Sequence, residues 1–317
     1  MTNSNQNRQW IVALDIGGTH LRTGFVNRHM QLERCETKAS NDVLTGPNPN
    51  LALLTHITDY LERHPNRQPV AVAIGFPATV DRQRRSVLSA SNLEPVTGLN
   101  VVDYLEPRLG LPTLIDRDAN MLLRWDIQAL GLASLAMVVG YYVGTGIGNA
   151  ICIDGRILVG SHGVAGELGH VPLYGSDLPC GCGNRGCVEA SASGRALQEL
   201  VHRRFPDTPV NRVFMRHSDA TDLQDLVRTL AMPVAWEVNI LDPDAVVLGG
   251  GVIDSAGFPR DQFEAHIRAM ARKPLPSSVT QFLYSEGGHG AGLRGAGLYA
   301  FAALDQAANR AQNRGVL

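Results

Sequence analysis

Two stretches of this chain share one phrase, and that repetition constrains the fold more than any other feature. WIVALDIGGTHLRTGFVN (10–27) is an apolar run, a Gly-Gly turn and an alternating segment, which reads as two strands of a hairpin. A third strand is predicted near residues 31–37. LAMVVGYYVGTGIGNAICIDGRILVG (135–160) repeats the order, with a Gly-Thr-Gly turn and a third strand after the DG at 154–155. Helix and strand alternate after each meander. After the turn-rich TGPNPN (45–50), LALLTHITDYLERH (51–64) has helical spacing, and PVAVAIGF (69–76) is a short buried strand. Later, LVRTLAMPVAWEVNILDP (226–243) reads as a helix and DAVVLGGGV (244–252) as a strand ending in glycines. The two copies predict a duplicated α/β domain with its boundary near residues 116–134. The division is written as 1–118, a smaller α/β domain that the C-terminal helix at about 300–317 could join, and 119–317, a larger one.

A chain of 317 residues is long enough for two cores of ordinary size. Apolar content of 44% and charged content of 18% fit a globular protein. A net charge of −2 without a long basic run leaves nucleic-acid binding no electrostatic footprint. The first ten residues, MTNSNQNRQW, lack the apolar core of a signal peptide, and no apolar run reaches the length of a bilayer. Cytoplasm is therefore the expected compartment, where clustered thiols stay reduced and bind metal more readily than they pair.

Glycine at each hairpin tip fits phosphate binding, because phosphate oxygens need several backbone N–H groups at close range and a Cβ would obstruct them. Asp15, Gly17, Gly18, Thr19 and His20 at the first tip, and Gly144, Thr145 and Gly146 at the second, are the candidates to hold a nucleotide from opposite sides. Asp15 would hold Mg²⁺ through water, with the Thr19 and Thr145 hydroxyls adding hydrogen bonds. Gly249, Gly250 and Gly251 would let a strand end pass close to adenosine. Ordinary hairpin turns are the bland alternative for each tip taken singly. The chain has no G-x-x-x-x-G-K-[ST] motif. GAGLRG (290–295) matches a dinucleotide fingerprint, but too little chain follows for the strand and acidic residue it requires, so close helix packing explains it better.

Three of the five cysteines, Cys180, Cys182 and Cys187, fall in C-x-C-x₄-C. Three thiolates from one loop suit a tetrahedral zinc ion that lacks one ligand. His170 in GELGHVPL is the nearest upstream candidate for the fourth, and His162 is another. Such a closed site would be structural, fixing the loop that carries Glu167 and Glu189. The alternative, three buried reduced cysteines, would make a core of a glycine-filled loop. In DRDANMLLRWDIQALG (116–131), Asp118 could cap the helix that follows, or act as a general base toward a hydroxyl.

Together DIGGTHLR, GFPATVD, DRDAN, VGTGIGNAI, HGVAGELGH, CGCGNRGCVE and LDPDAVVLGGGV resemble the ROK family of sugar kinases and repressors, in family order over residues 15–252. The resemblance implies the actin-like ATPase (ribonuclease H-like) fold, two domains with a cleft between them, and ATP-dependent phosphorylation of a hexose, usually on its 6-hydroxyl. It implies Asp118 as the general base. Asn92, Arg117, Asp118, Glu167, His170 and Glu189 are implied at the sugar, with His170, Cys180, Cys182 and Cys187 on zinc. A homodimer acting on small molecules is part of what kinship implies.

Two positions depart from the common family pattern. Arg117 stands where many members have Asn before the catalytic Asp, and Ala78 stands at the second glycine of G-x-P-G. A longer, permanently charged side chain at 117 should change which hydroxyl arrangement is preferred, unless it turns aside to pair with a carboxylate such as Asp116. These variants, with RKPLP (272–276), are similar to the D-allose kinases of the family, with glucose, fructose and N-acetylmannosamine kinases as alternatives. A repressor of the family would carry a helix-turn-helix domain, and only 14 residues precede Asp15. A sugar-binding protein without catalysis fits poorly with Asp118 and two phosphate turns.

Overall fold

The computed structural model describes residues 9–44 and 46–314; the polar residues 1–8, Thr45 of TGPNPN and residues 315–317 of the predicted C-terminal helix lie outside the described residues. The chain divides into two compact units. The first comprises Met1–Ala129, Val159–Val164 and Gly287–Leu317, and the second Leu130–Leu158 and Ala165–Glu286. The division drawn after residue 118 thus falls inside the first unit, which continues through the helix that Asp118 opens.

The first unit is built on β1 (Trp10–Ile16), β2 (His20–Asn27), β3 (Leu32–Ala39), β4 (Pro69–Phe76) and β7 (Thr113–Arg117), in the order β3-β2-β1-β4-β7. A small ribbon of β5 (Thr79–Val80) and β6 (Val87–Ser89) lies outside that sheet. β1 and β2 form the predicted hairpin, with Ile16 opposite Leu21, while β1, β4 and β7 run parallel. Parallel strands need cover on both faces, and β1 and β4 are apolar almost throughout. At the edge, β3 (LERCETKA) is largely exposed and charged, which discourages pairing with another chain.

Alternation along β1 sorts the two faces. Val12, Leu14 and Ile16 meet Leu53, Ile57 and Tyr60 of α1 (Pro49–Glu62) and Leu105 of α2 (Val101–Leu109) in one core. Ile11 and Ala13, with Ala71 and Ala73 of β4, meet Met121 of α3 (Asp118–Ala129) and Leu293, Ala296 and Ala300 of the C-terminal helix in another. Helix α1 starts where Asn48 accepts the Leu51 N–H and Pro49 occupies the first turn.

In the second unit β8 (Met137–Val143), β9 (Ile147–Ile153), β10 (Arg156–Ile157), β11 (Ala245–Gly249) and β12 (Gln281–Tyr284) take the order β10-β9-β8-β11-β12. Again the first two strands are antiparallel and β8, β11 and β12 are parallel, so the unit repeats the topology of its counterpart. This is the duplicated actin-like ATPase fold. Its core joins Val139, Tyr141, Val246 and Leu248 to α4 (Gly194–Arg204), α5 (Thr221–Leu241) and α6 (Arg260–Met270), through Leu197, Leu230, Val234, Phe263 and Ile267. The last helix, α7 (Ala291–Arg314), belongs to the first unit and begins well before the predicted residue 300. Among the described residues no helix is long and apolar enough to cross a membrane.

Candidate functional site

In the first unit the polar candidates gather at the C-terminal ends of the parallel strands, where ligands bind in open α/β sheets. Register puts Asp15 of β1 beside Gly75 of β4, and Gly75 beside Asp116 of β7. Gly75 has no side chain to fill this row: a Cβ there would stand 3.5 Å from Asp118 Cα and 3.3 Å from Met121 Cγ. Asp15 pairs with Arg22 at 3.2 Å, and the start of α7 closes on it, since a Cβ on Gly292 would come within 2.5–2.7 Å of its carboxylate. Burial pushes the Asp15 carboxyl up, against the pull of Arg22, so an added cation nearby would favour its ionised form.

The turn at 17–19 is held by the Gly17 N–H on the His20 carbonyl (2.8 Å) and by the Ser40 hydroxyl on the Gly17 carbonyl (2.7 Å). Thr19 and His20 are exposed there. Asn92 is half-buried in the loop after β6.

Asp118 opens α3 at the end of β7, half-buried, with its Oδ1 2.7 Å from the Ala119 N–H it accepts. Fastening of the β7–α3 junction, expected of Asp118, falls largely to Asp116. The Asp116 Oδ1 accepts from the Arg117 N–H (2.9 Å) and from Asn120 Nδ2 (2.8 Å). Arg84 Nε stands 3.1 Å and Arg124 Nη2 3.3 Å from the same carboxylate, which is 1% exposed. Arg84 also donates to the carbonyls of Val80 and Gly163, both at 3.1 Å. Gly163 must be glycine: its φ is +89°, and a Cβ would sit 2.4 Å from the Val80 carbonyl. Neither Arg84 nor Gly163 was singled out from sequence, and no spacing pattern joins them. Arg117 is buried at the end of β7 beside Asp118.

In the second unit the β8–β9 tip carries Gly144, Thr145 and Gly146. No positive φ requires glycine at 144, and a Cβ there would meet nothing within 4 Å. Neither backbone conformation nor packing accounts for that glycine. The glycine run at 249–251 differs. A Cβ on Gly249 would lie 2.8 Å from Ser285 Cβ, and Gly250 (φ +94°) has Val143 backbone at 2.6–2.8 Å. Close approach of the chain to itself requires glycine at these two positions; of the run, only Gly251 opens on free space.

The tip is braced from behind. Ile147 N–H donates to Glu189 Oε2 (2.6 Å), Gly194 N–H to the Gly144 carbonyl (2.9 Å), and Arg195 N–H to the Thr145 carbonyl (3.1 Å). The last two donors lie in the first turn of α4, where helical N–H groups lack intrahelical partners. Ser193 caps that helix by accepting from Ala196 N–H. The Ser-Gly sequence ahead of an amphipathic run could have announced the helix start, but nothing in it names what the start touches.

His170, Cys180, Cys182 and Cys187 bring four ligand atoms within 4.8 Å of one another. Cys182 Sγ and Cys187 Sγ are 3.7 Å apart, and Cys180 Sγ is 3.5 Å from His170 Nδ1. Around a tetrahedral zinc, two sulfurs stand about 3.8 Å apart and a sulfur and an imidazole nitrogen about 3.5 Å. The donor set therefore fits such an ion. His162, the other candidate, is exposed and lies in the 159–164 segment of the first unit. Burial and the neighbouring thiols push Cys187 up to about 12, so its thiolate needs a cation beside it. The loop is pinned by Gly186, whose φ is +75° and whose Cβ would lie 2.5 Å from the Ser176 carbonyl. The other ring nitrogen of His170, Nε2, faces Glu167 at 3.6 Å. Glu189 is 9% exposed in the helical turn directly after Cys187.

The family model for the ROK family matches residues 11–302. The chain is 28% identical over 313 residues to a glucokinase of Streptomyces coelicolor (90% of this chain, 95% of that one). It is 30% identical over 307 residues to an N-acetyl-D-glucosamine kinase of Erwinia tasmaniensis (89% and 96%). Among solved structures it resembles a ROK family glucokinase from Streptomyces griseus in complex with glucose and AMPPNP, at a TM-score of 0.76 and 28% identity, covering 90% of this chain and 97% of that one.

Proposed function

We propose, for a chain that belongs to the ROK family and is an ATP-dependent sugar kinase, that it transfers the γ-phosphate of ATP to the 6-hydroxyl of a hexose, with D-allose as the sugar. The observation that carries the reaction is the row of Asp15, Gly75 and Asp116 at the strand ends, with Asp118 beyond it. The choice of D-allose rests on Arg117, on GFPATVD, and on the burial of Arg117 next to Asp118.

In this reading Asp118 accepts the proton of the 6-hydroxyl as that oxygen attacks the γ-phosphorus, and the proton stays on its carboxylate until product leaves. Asn92, Arg117, Glu167, His170 and Glu189 orient the sugar through its hydroxyls. The remaining backbone N–H groups of the Gly17–Thr19 and Gly144–Gly146 turns would face the phosphates, with open space beside Gly144. Asp15 would hold Mg²⁺ through water, which supplies positive charge against the phosphates. Cys180, Cys182, Cys187 and His170 would hold a zinc ion that supplies a closed anchor for the loop between Glu167 and Glu189. The homodimer implied by kinship belongs to the same reading and is checked by sedimentation.

The test is ADP release by purified protein over a panel of hexoses, with ³¹P NMR of the product. D-allose is expected to give the highest kcat/KM. Should no sugar raise turnover above the sugar-free rate, the kinase reading fails; should glucose, N-acetylglucosamine or N-acetylmannosamine exceed allose, only the sugar assignment does.

A further inference from the structure

Glu189 enters the reading above as a sugar-binding residue, yet one of its oxygens is occupied elsewhere. Its Oε2 accepts the Ile147 N–H at 2.6 Å, a short bond from the first residue after the Gly144–Gly146 tip. Five and six residues farther along, the first two N–H groups of α4 fall on the carbonyls of Gly144 and Thr145. Three bonds from one short stretch, 189–195, thus fix three of the four residues 144–147. Fixation is close: a Cβ on Gly194 would lie 2.2 Å from the Gly144 carbonyl oxygen. Charge alone gives no reason for this arrangement, because a carboxylate beside a phosphate-binding turn repels the ligand. Its use must lie in what it holds.

We propose that Glu189 is a positioning residue for the nucleotide: its carboxylate, together with the α4 amides of Gly194 and Arg195, sets the Gly144–Ile147 turn for phosphate before any sugar is bound. One side chain then serves both substrates, and sugar hydroxyls drawing on Glu189 change the strength of its hold on the turn. By linkage, sugar and nucleotide must alter each other's affinity by the same factor. The inference rests on the kinase reading and adds a nucleotide role to a sugar residue.

The experiment is calorimetric titration of sugar-free protein with MgADP. Wild-type protein that fails to bind MgADP refutes the kinase reading itself, apart from anything said of Glu189. Glu189→Ala should weaken MgADP about tenfold, the effect of losing one hydrogen bond to a charged group. Glu189→Gln keeps an acceptor for Ile147 N–H and should stay within about twofold of wild type. Its sugar KM should nevertheless rise. Unchanged or tightened MgADP binding in Glu189→Ala overturns the proposal, and so does an equal loss in both variants. If Glu189→Ala does not fold, Gly194→Ala moves the turn without touching the carboxylate. It should weaken MgADP while leaving sugar binding to nucleotide-free protein as it was, and unaltered MgADP affinity there also overturns the proposal.

Discussion

Asp118 and Asp116 flank one arginine, and the helix fastening expected of Asp118 is carried largely by Asp116. Asp116 is engaged with Arg84, Arg124, Asn120 and the Arg117 N–H, so it carries most of the fastening of the β7–α3 junction. Asp118→Asn should therefore fold normally and keep its sugar affinity while kcat falls about 10²–10⁴-fold. A coupled assay beside sugar calorimetry checks this, and full turnover in the variant would remove Asp118 from the mechanism. Sequence could not apportion these roles, because two aspartates two positions apart look alike until their partners are folded against them.

Glu237 makes a second case. On α5 it is 4% exposed, accepts from Asn149 Nδ2 at 3.0 Å, and burial pushes its carboxyl up from 4.5 to about 8. Between those values the folded protein holds a proton that the unfolded chain has released. Stability must then fall as pH rises from about 4.5 to about 8, by up to about 1.4 kcal/mol per pH unit from this group. Glu237→Gln keeps the acceptor and should raise the melting temperature at pH 8 relative to wild type, with the gap closing toward pH 5. A gap independent of pH would contradict this.

Among elements, the two hairpins and β4 were legible close to their limits, whereas β5, β6, β7 and β12 were not read from the sequence. PVAVAIGF (69–76) coincides with β4, because an apolar run bounded by proline leaves little choice. Helix limits were less so: the helix expected at 226–243 runs Thr221–Leu241, with Pro233 inside it. Helices α2, α4 and α6 were not read from the sequence at all, and the start of α7 was placed too late. AGLRGAG has poor helix propensity, and packing overrides it. A Cβ on Gly295 would stand 1.8 Å from the Met121 carbonyl, so this helix needs its glycines to approach α3, as the helix-packing reading of GAGLRG required.

The gathering of His170 with Cys180, Cys182 and Cys187 was legible, while the continuation of that loop into the brace behind Gly144 was not. Cys182→Ser should lower bound zinc, measured by elemental analysis, and lower the melting temperature; wild-type protein purified without zinc would refute the metal assignment. Gly250→Ala, forced into a left-handed φ with Val143 backbone at 2.6 Å, should cost about 1–3 kcal/mol in urea unfolding without change in zinc content.

Taken whole, the molecule reuses one topology, and the repeated strand–glycine–strand phrase was enough to announce it. What sequence order conceals is that the first unit is assembled from three separated segments. The excursion at 159–164 is invisible in composition; it exists because Gly163 fits against Val80–Arg82 and Arg84 holds its carbonyl. The return of α7 was expected in part, from residue 300 rather than 291. Ending the chain after Glu286 would uncover Ile11, Ala13, Ala71 and Ala73 together. Hydrogen exchange on that truncation should lose protection across β1, β2 and β4 while β8, β9 and β11 keep theirs. Surviving protection in β1 would mean that α7 is dispensable to the sheet.

The closing of Gly292 over Asp15 has a consequence in time, since these partners lie 277 positions apart. At about 5–20 residues per second, a ribosome needs roughly 15–55 s to travel between them. For most of that interval the earliest-made sheet has α3 alone over one side, without the Leu293, Ala296 and Ala300 that complete its cover. Nascent chains of this protein must therefore be shielded from one another by dilution or by chaperones until translation has nearly run its course.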